Sequence, residues 1–139
     1  MQNPLHISAI IQATPETVWE YWNNPEHIKN WAFASDDWEA PAAINDIRVN
    51  GTFKTTMAAK DGSARFDFEG VYTNIIPHQV IEYVMPDGRE VTINFSKKPE
   101  GTEINESFNP ENINSLEMQQ QGWQSILNNF KKYVESQTQ

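Results

Sequence analysis

The sequence predicts an α+β domain: a curved antiparallel sheet of roughly six to seven strands wrapped on a long C-terminal helix, with two short helices after the first strand. Three observations point there. Leu116, Trp123, Ile126, Leu127, Phe130 and Val134 recur at helical spacing and share one face. Upstream, several runs alternate apolar and polar residues with a period of two and are parted by short turns. Between these regions, Thr14-Pro15-Glu16 and Asn24-Pro25-Glu26 each set a capping residue before a proline and an acid, which is a helix start.

Leu5 to Ile11 is apolar and β-branched and reads as the first strand. Helices follow over Pro15 to Trp22 and Pro25 to Trp31, with Val18, Trp19 and Trp22, then Ile28 and Trp31, turned inward. Both are too short to be stable alone and need the sheet as a partner. Phe33 to Pro41 reads as a loop holding Asp36, Asp37 and Trp38. Ile47 to Ala59 reads as a strand, with Phe53, Thr55, Met57 and Ala59 on one side. Asp61-Gly62 is a hairpin turn, and Arg65 to Ile76 returns with Phe66, Phe68, Gly70 and Tyr72 on one face. After Pro77-His78 come Val80 to Met85, a turn at Asp87-Gly88, Val91 to Ser96, a turn at Pro99-Glu100-Gly101, and Thr102 to Phe108. Ile104, Glu106 and Phe108 share a face of that last strand. Asn109-Pro110-Glu111 carries the cap–proline–acid signal again and is expected to open the C-terminal helix, which runs to Glu135.

Short turns between successive strands imply a meander, and clean alternation implies a sheet with one buried face. Only the last helix is long enough to cover that face. A strongly twisted sheet of this size curls, so it encloses space against the helix. Two features of the helix bear on that space. Gly122 lies in its interior, where glycine costs roughly 1 kcal/mol relative to alanine; either another backbone approaches closely or the residue is simply tolerated. Gln119 and Gln120 occupy the inward positions between Leu116 and Trp123; this turn either passes beyond the sheet into solvent or lines a cavity.

A chain of 139 residues is one domain over 1–139, long enough for a substantial core. Seven Phe, five Trp and four Tyr supply bulky apolar area for it. The absence of cysteine excludes disulfides, thiolate metal sites and a cysteine nucleophile. Nineteen acids against ten bases, a net charge of −9, make nucleic acid and anionic membrane poor partners. MQNPLHISAIIQA has no basic leader, and no apolar run is long enough to span a bilayer, so a cytoplasmic location is expected.

Several pieces form an ordered set that spans nearly the whole chain. They are Ala13-Thr14-Pro15-Glu16-Thr17-Val18-Trp19, Asn24-Pro25-Glu26 through Trp31, Asn45 through Phe53, Phe68-Glu69-Gly70-Val71-Tyr72 with Ile76-Pro77, Thr102 through Phe108, and Gly122-Trp123. This set resembles the helix-grip fold of the SRPBCC (START-like) superfamily, and more narrowly the homologues of the activator of the heat-shock chaperone ATPase. In that family the turn after the Asp–x–Arg pair usually carries two glycines; here Asn50 stands at the first, and asparagine tolerates positive φ. The resemblance implies an internal pocket that in many relatives binds small hydrophobic or amphipathic molecules. It implies no single activity, because the superfamily holds lipid carriers, hormone receptors, aromatic cyclases, oxygenase domains and co-chaperone domains.

The residues themselves present no catalytic motif. His6, His27 and His78 are scattered and lack metal-ligand spacing, so neither a metal nor a cofactor is expected. Asp36 and Asp37 read as a solvated pair, although Asp37 is a candidate acid. Glu106 stands out, because a carboxyl on an apolar face has a raised pKa and can act as acid, base or ligand anchor. Against that stands a structural role at the sheet edge, or an ion pair with Arg48. The hydroxyls of Tyr72 and Tyr83 either meet a ligand or bond within the core margin. The aromatic set Trp31, Trp38, Phe53, Phe68, Tyr72, Tyr83, Phe95 and Trp123, with Met57 and Leu127, is expected to line the space between helix and sheet, the alternative being a well-filled core with no cavity. The expected function is binding of a small apolar or aromatic molecule there. In that reading Trp31 and Trp38 close the mouth, and Glu106 and Gln120 are the polar anchors. The alternatives are a co-chaperone-like module acting on a chaperone ATPase, and a cyclase- or hydrolase-type enzyme using the same cavity.

Overall fold

The computed structural model describes residues 3–138. Seven strands form one antiparallel sheet in the order β1-β7-β6-β5-β4-β3-β2. They are β1 (Leu5–Ile11), β2 (Trp38–Asn45), β3 (Thr52–Ala59), β4 (Arg65–Ile76), β5 (Val80–Val84), β6 (Glu90–Lys98) and β7 (Gly101–Phe108). The helices are α1 (Pro15–Asn23), α2 (Pro25–Ile28) and α3 (Leu116–Gln137). The sheet curls into a half-barrel gripping α3, the α+β helix-grip fold.

The first two helices begin where their caps stand. Thr14 Oγ1 accepts from the Thr17 amide at 3.3 Å, and Asn24 Oδ1 accepts from the Glu26 amide at 3.0 Å. α2 is shorter than expected: after Ile28 the chain continues as turns through Trp31. From β3 to β7 each strand pairs with its successor, and β1 closes beside β7 with Ile7 opposite Glu106.

Two expectations about element boundaries are corrected. The stretch after the short helices is not a loop up to Pro41: Trp38 to Asn45 is β2, an edge strand on β3. Pro41 hides it from sequence patterning because proline cannot donate to a ladder. Here the pairing shifts register between Glu39 and Ala42, and an edge position tolerates the missing bond. The strand expected from Ile47 begins only at Thr52, because residues 46–51 form a tight turn closed by Gly51 N–H to Arg48 O at 2.8 Å. Asn50 takes φ 70°, as its side chain permits. A Cβ at Gly51 would lie 2.1 Å from the Asp46 carbonyl oxygen, so this position is closed to any other residue without rearrangement.

α3 starts at Leu116, not at Asn109. Asn109 instead extends the sheet, exchanging bonds with Glu90 through its amide (3.1 Å) and its side-chain oxygen (2.9 Å). The Glu111 carboxylate accepts from the Ile113 and Asn114 amides, closing a local turn, and Ser115 Oγ caps the helix by accepting from Met118 N–H. Leu116 is exposed, so the buried stripe of α3 runs through Gln119, Leu127, Phe130 and Val134.

α3 also seals one edge of the sheet. Every second carbonyl of β1 is met by an α3 side chain: Gln120 Nε2 donates to His6 O at 2.7 Å, Gln124 Nε2 to Ser8 O at 3.1 Å, and Lys131 Nζ to Ile10 O at 2.5 Å. Glu135 accepts from the Gln12 amide at 2.9 Å and pairs with Lys131 at 2.7 Å. An edge strand otherwise presents these groups for pairing with another chain.

Candidate functional site

Between α3 and the concave face of the sheet lies a cavity of about 510 Å³. β3 supplies Phe53, Thr55 and Met57; β4 supplies Phe66, Phe68 and Tyr72; Ile81 and Tyr83 come from β5, Ile93 from β6 and Glu106 from β7. The helices add Trp22, Asn23 and Ile28, and α3 adds Met118, Gln119, Gly122, Trp123 and Ile126. Strand alternation places residues i and i+2 on this face together. The mouth is marked by lining residues that reach solvent: Phe66 is 49% exposed and Met118 61%, and Ala34 and Asn114 are exposed too.

Nine of the twelve residues singled out from sequence line this space: Trp31, Trp38, Phe53, Met57, Phe68, Tyr72, Tyr83, Glu106 and Trp123. The rings interlock. Phe53 packs edge-on to Tyr83 with centroids 4.7 Å apart, Phe68 lies edge-on to Trp123 at 5.7 Å, and Trp38 meets Phe66 at 5.8 Å. A Cβ at Gly70 would stand 2.9 Å from the Phe53 ring and 3.0 Å from the Tyr83 ring, so the missing side chain makes room for both.

Three expected lining residues lie elsewhere. Phe95 is buried against Trp19 and Trp22, with centroids at 5.3 and 5.9 Å. Leu127 is buried in the core one turn beyond Trp123. Gln120 is exposed and holds β1 through His6 O, so it anchors nothing in the cavity. Its neighbour Gln119 is the inward amide, and it is fully committed: Nε2 donates to Glu111 O and Asn114 O, and Oε1 accepts from Glu111 N–H. It lines the cavity while pinning the loop before α3. A helix turn has room for one inward amide here, and periodicity could not choose which.

Trp31 does not act as a door. It is buried, its Nε1 donates to Tyr21 O at 3.0 Å, and its ring packs with Trp22 and Phe130. Gly122 meets no close backbone; a Cβ there would enter open space in the cavity. Asp36 and Asp37 are exposed on the loop before β2 and lie outside the cavity. His6 bonds Ser107, His27 bonds the Tyr133 hydroxyl, and His78 packs edge-on to Trp19.

The polar lining divides into satisfied and open groups. Tyr72 donates to Asn45 Oδ1 at 2.5 Å, Asn45 Nδ2 donates to Asn23 O at 2.8 Å, and Asn23 Nδ2 donates to Trp19 O at 3.0 Å. Burial raises the Tyr72 phenol above its ordinary pKa. Arg48, the expected partner of Glu106, is instead 2.8 Å from Asp46 with its side chain 74% exposed. Glu106 therefore stands without an ion pair or hydrogen bond among the described residues. It is 5% exposed, and burial alone raises its carboxyl from 4.5 to about 8. The Tyr83 hydroxyl likewise has no hydrogen-bond partner among the described residues; burial, then the Glu106 charge, pushes its pKa well up. Among the described residues no sealed-off side-chain oxygen lacks a partner, so the Glu106 and Tyr83 oxygens open onto the cavity.

Phe66, Thr55, Met118 and Arg89 were not singled out from sequence. Phe66 and Thr55 were legible in the alternation with Phe68 and with Phe53 and Met57. Met118 was not, because it lies off the apolar stripe of the helix and is 61% exposed. Arg89 approaches from the β5–β6 turn, held by Asp87 at 2.8 Å.

The sequence matches the family described as Activator of Hsp90 ATPase homolog 1-like protein over residues 12–135. A solution structure of an AHSA1-like protein from Aeromonas hydrophila is 44% identical, with TM-score 0.91, over 96% of this chain and 93% of that one. A solution structure of a protein from Cytophaga hutchinsonii is 50% identical, with TM-score 0.83, over 97% and 94% of the two chains. A crystal structure of a protein from Nitrosomonas europaea shares the fold at 17% identity, with TM-score 0.82 over 97% and 96%. No curated protein matches the chain.

Proposed function

The chain belongs to the family of Activator of Hsp90 ATPase homolog 1-like proteins, and we propose that it holds a small apolar or aromatic molecule in the cavity between α3 and the sheet. One observation carries this reading: about 510 Å³ of space walled by interlocking aromatic rings, with an open mouth at Phe66 and Met118. That volume falls in the range of small-molecule sites, roughly 300–1,000 Å³, whose walls are mostly apolar with a few polar groups. A core built only for stability closes such space, because interiors pack to crystal-like density.

The test is thermal melting against neutral aromatic compounds such as biphenyl and 1-naphthalenemethanol, with native mass spectrometry of the purified protein. A concentration-dependent rise in Tm that disappears in Gly122→Leu supports the site. No shift with any compound, and no retained small molecule, removes it.

A second reading is contact with a chaperone ATPase, in keeping with the family's description. It is favoured by Ile113, Leu116 and Met118, which are exposed together at the start of α3. Purified chaperone whose ATPase rate is unchanged by this protein, in an assay where a known activator works, counts against it.

A further inference from the structure

We propose that the occupant of the cavity carries a protonated amine and that Glu106 is the counter-charge that selects it; this rests on the reading of the cavity as a ligand site. Glu106 sits mid-strand between Ile7 and Ile93, 5% exposed, with no ion pair or hydrogen bond among the described residues. Its oxygens open onto the cavity, and so does the unpartnered Tyr83 hydroxyl. Neither group is sealed off, so each can bond a molecule that enters the cavity. The two groups face the same space, and once Glu106 is ionised both can present acceptor oxygens there.

The other titratable groups on this cavity are accounted for. Tyr72 on β4 donates to Asn45, Arg89 in the β5–β6 turn is held by Asp87, and Glu111 in the loop before α3 bonds the Ile113 and Asn114 amides. β1 and β6 bring only Ile7 and Ile93 beside Glu106, and the α3 residues that line the cavity are not ionisable. No described cation therefore neutralises Glu106. An incoming ammonium offers three donors to these oxygens, and the surrounding ring faces attract a cation. Wherever Glu106 is ionised, a carboxylate head would set a second negative charge against it. An alcohol head can bond but brings no charge. The net charge of −9 draws cations toward the protein.

In the empty protein burial keeps Glu106 protonated up to about pH 8. Binding the ammonium form breaks the carboxyl O–H bond, the proton leaves to solvent, and the ammonium keeps its own three. Affinity for an amine therefore falls about tenfold for each pH unit below that value.

The experiment titrates the wild type with 1-naphthylmethylamine, 1-naphthalenemethanol and 1-naphthoate by calorimetry. The expected result is an amine that binds tightest, on the order of fiftyfold tighter at pH ~8 than at pH ~6, with close to one proton released near neutrality in buffers of differing ionisation enthalpy. Glu106→Gln is expected to bring the amine down to the level of the alcohol and to abolish its pH dependence. An amine that binds no tighter than the alcohol, or without proton release, overturns the proposal while alcohol binding preserves the cavity reading. Failure of all three compounds overturns both. The wild-type series and the proton count decide the matter even if the variant does not fold.

Discussion

Phe108 and Trp123 stack face to face, their ring centroids 3.9 Å apart and their planes 6° from parallel. Phe108 is fully buried on β7, two residues beyond Glu106 on the same face, and Trp123 reaches it from α3. This stack fixes the helix over the sheet at the cavity, and Phe68 packs edge-on to the other side of the contact through Trp123. One wall of the site is therefore also a clamp of the fold.

Trp123→Ala should cost about 3 kcal/mol, the lower end for loss of a large core ring, because Trp123 is only half-buried. Trp123→Phe, which keeps a stacking ring, should cost less than half as much. Urea unfolding followed by far-ultraviolet circular dichroism measures both. Equal losses for the two variants would show that the stack does not hold α3.

Glu106 should make the empty protein less stable as pH rises. In the unfolded chain its carboxyl loses its proton near the ordinary value of 4.5, whereas the folded protein keeps the proton to about 8. Between those values the unfolded state binds fewer protons, so stability falls with rising pH, on the order of 1 kcal/mol per unit. Glu106→Gln should flatten this slope and be the more stable protein at the alkaline end. Parallel pH profiles of Tm would reveal it, and profiles that superimpose would place the carboxyl in water.

Gly122 faces empty space from a helix interior, so alanine there should improve stability by about 0.5–1 kcal/mol. The larger Gly122→Leu should project into the cavity and suppress ligand binding. Denaturant unfolding and ligand-dependent melting read the two effects separately. A destabilising alanine would mean that something already occupies that space.

The ladder from α3 to β1 should protect the sheet edge more than it adds to global stability. Gln120 is exposed and Gln124 half-buried, and replacing either with alanine should cost about 0.5–1 kcal/mol, since water can replace the lost donor. The double variant should speed amide exchange in β1 and promote self-association, as an uncovered edge does. Hydrogen exchange and light scattering are the measurements. β1 exchange unchanged in the double variant would make the ladder incidental.

The sequence by itself determined the fold class, the meander from β3 to β7, the Thr14 and Asn24 caps, and the inward row of Phe53, Met57, Phe68, Tyr72 and Glu106. These are local records: a period of two or 3.6 tells which residues share a face, and a cap or turn residue satisfies backbone within a few positions of itself. The tertiary structure decided what each face meets. It made Trp38–Asn45 a strand, because only β3 alongside could tolerate Pro41 through a register shift. It moved the start of α3 to Leu116, capped by Ser115, because Asn109 had partners waiting on Glu90. It gave Gln119 to the cavity side and Gln120 to the β1 edge, sent Arg48 to Asp46 instead of Glu106, and left Phe95 and Leu127 in solid core. Each of these outcomes depends on the curl of the sheet and the seat of the helix, which join residues as far apart as His6 and Gln120, and no local pattern carries that distance.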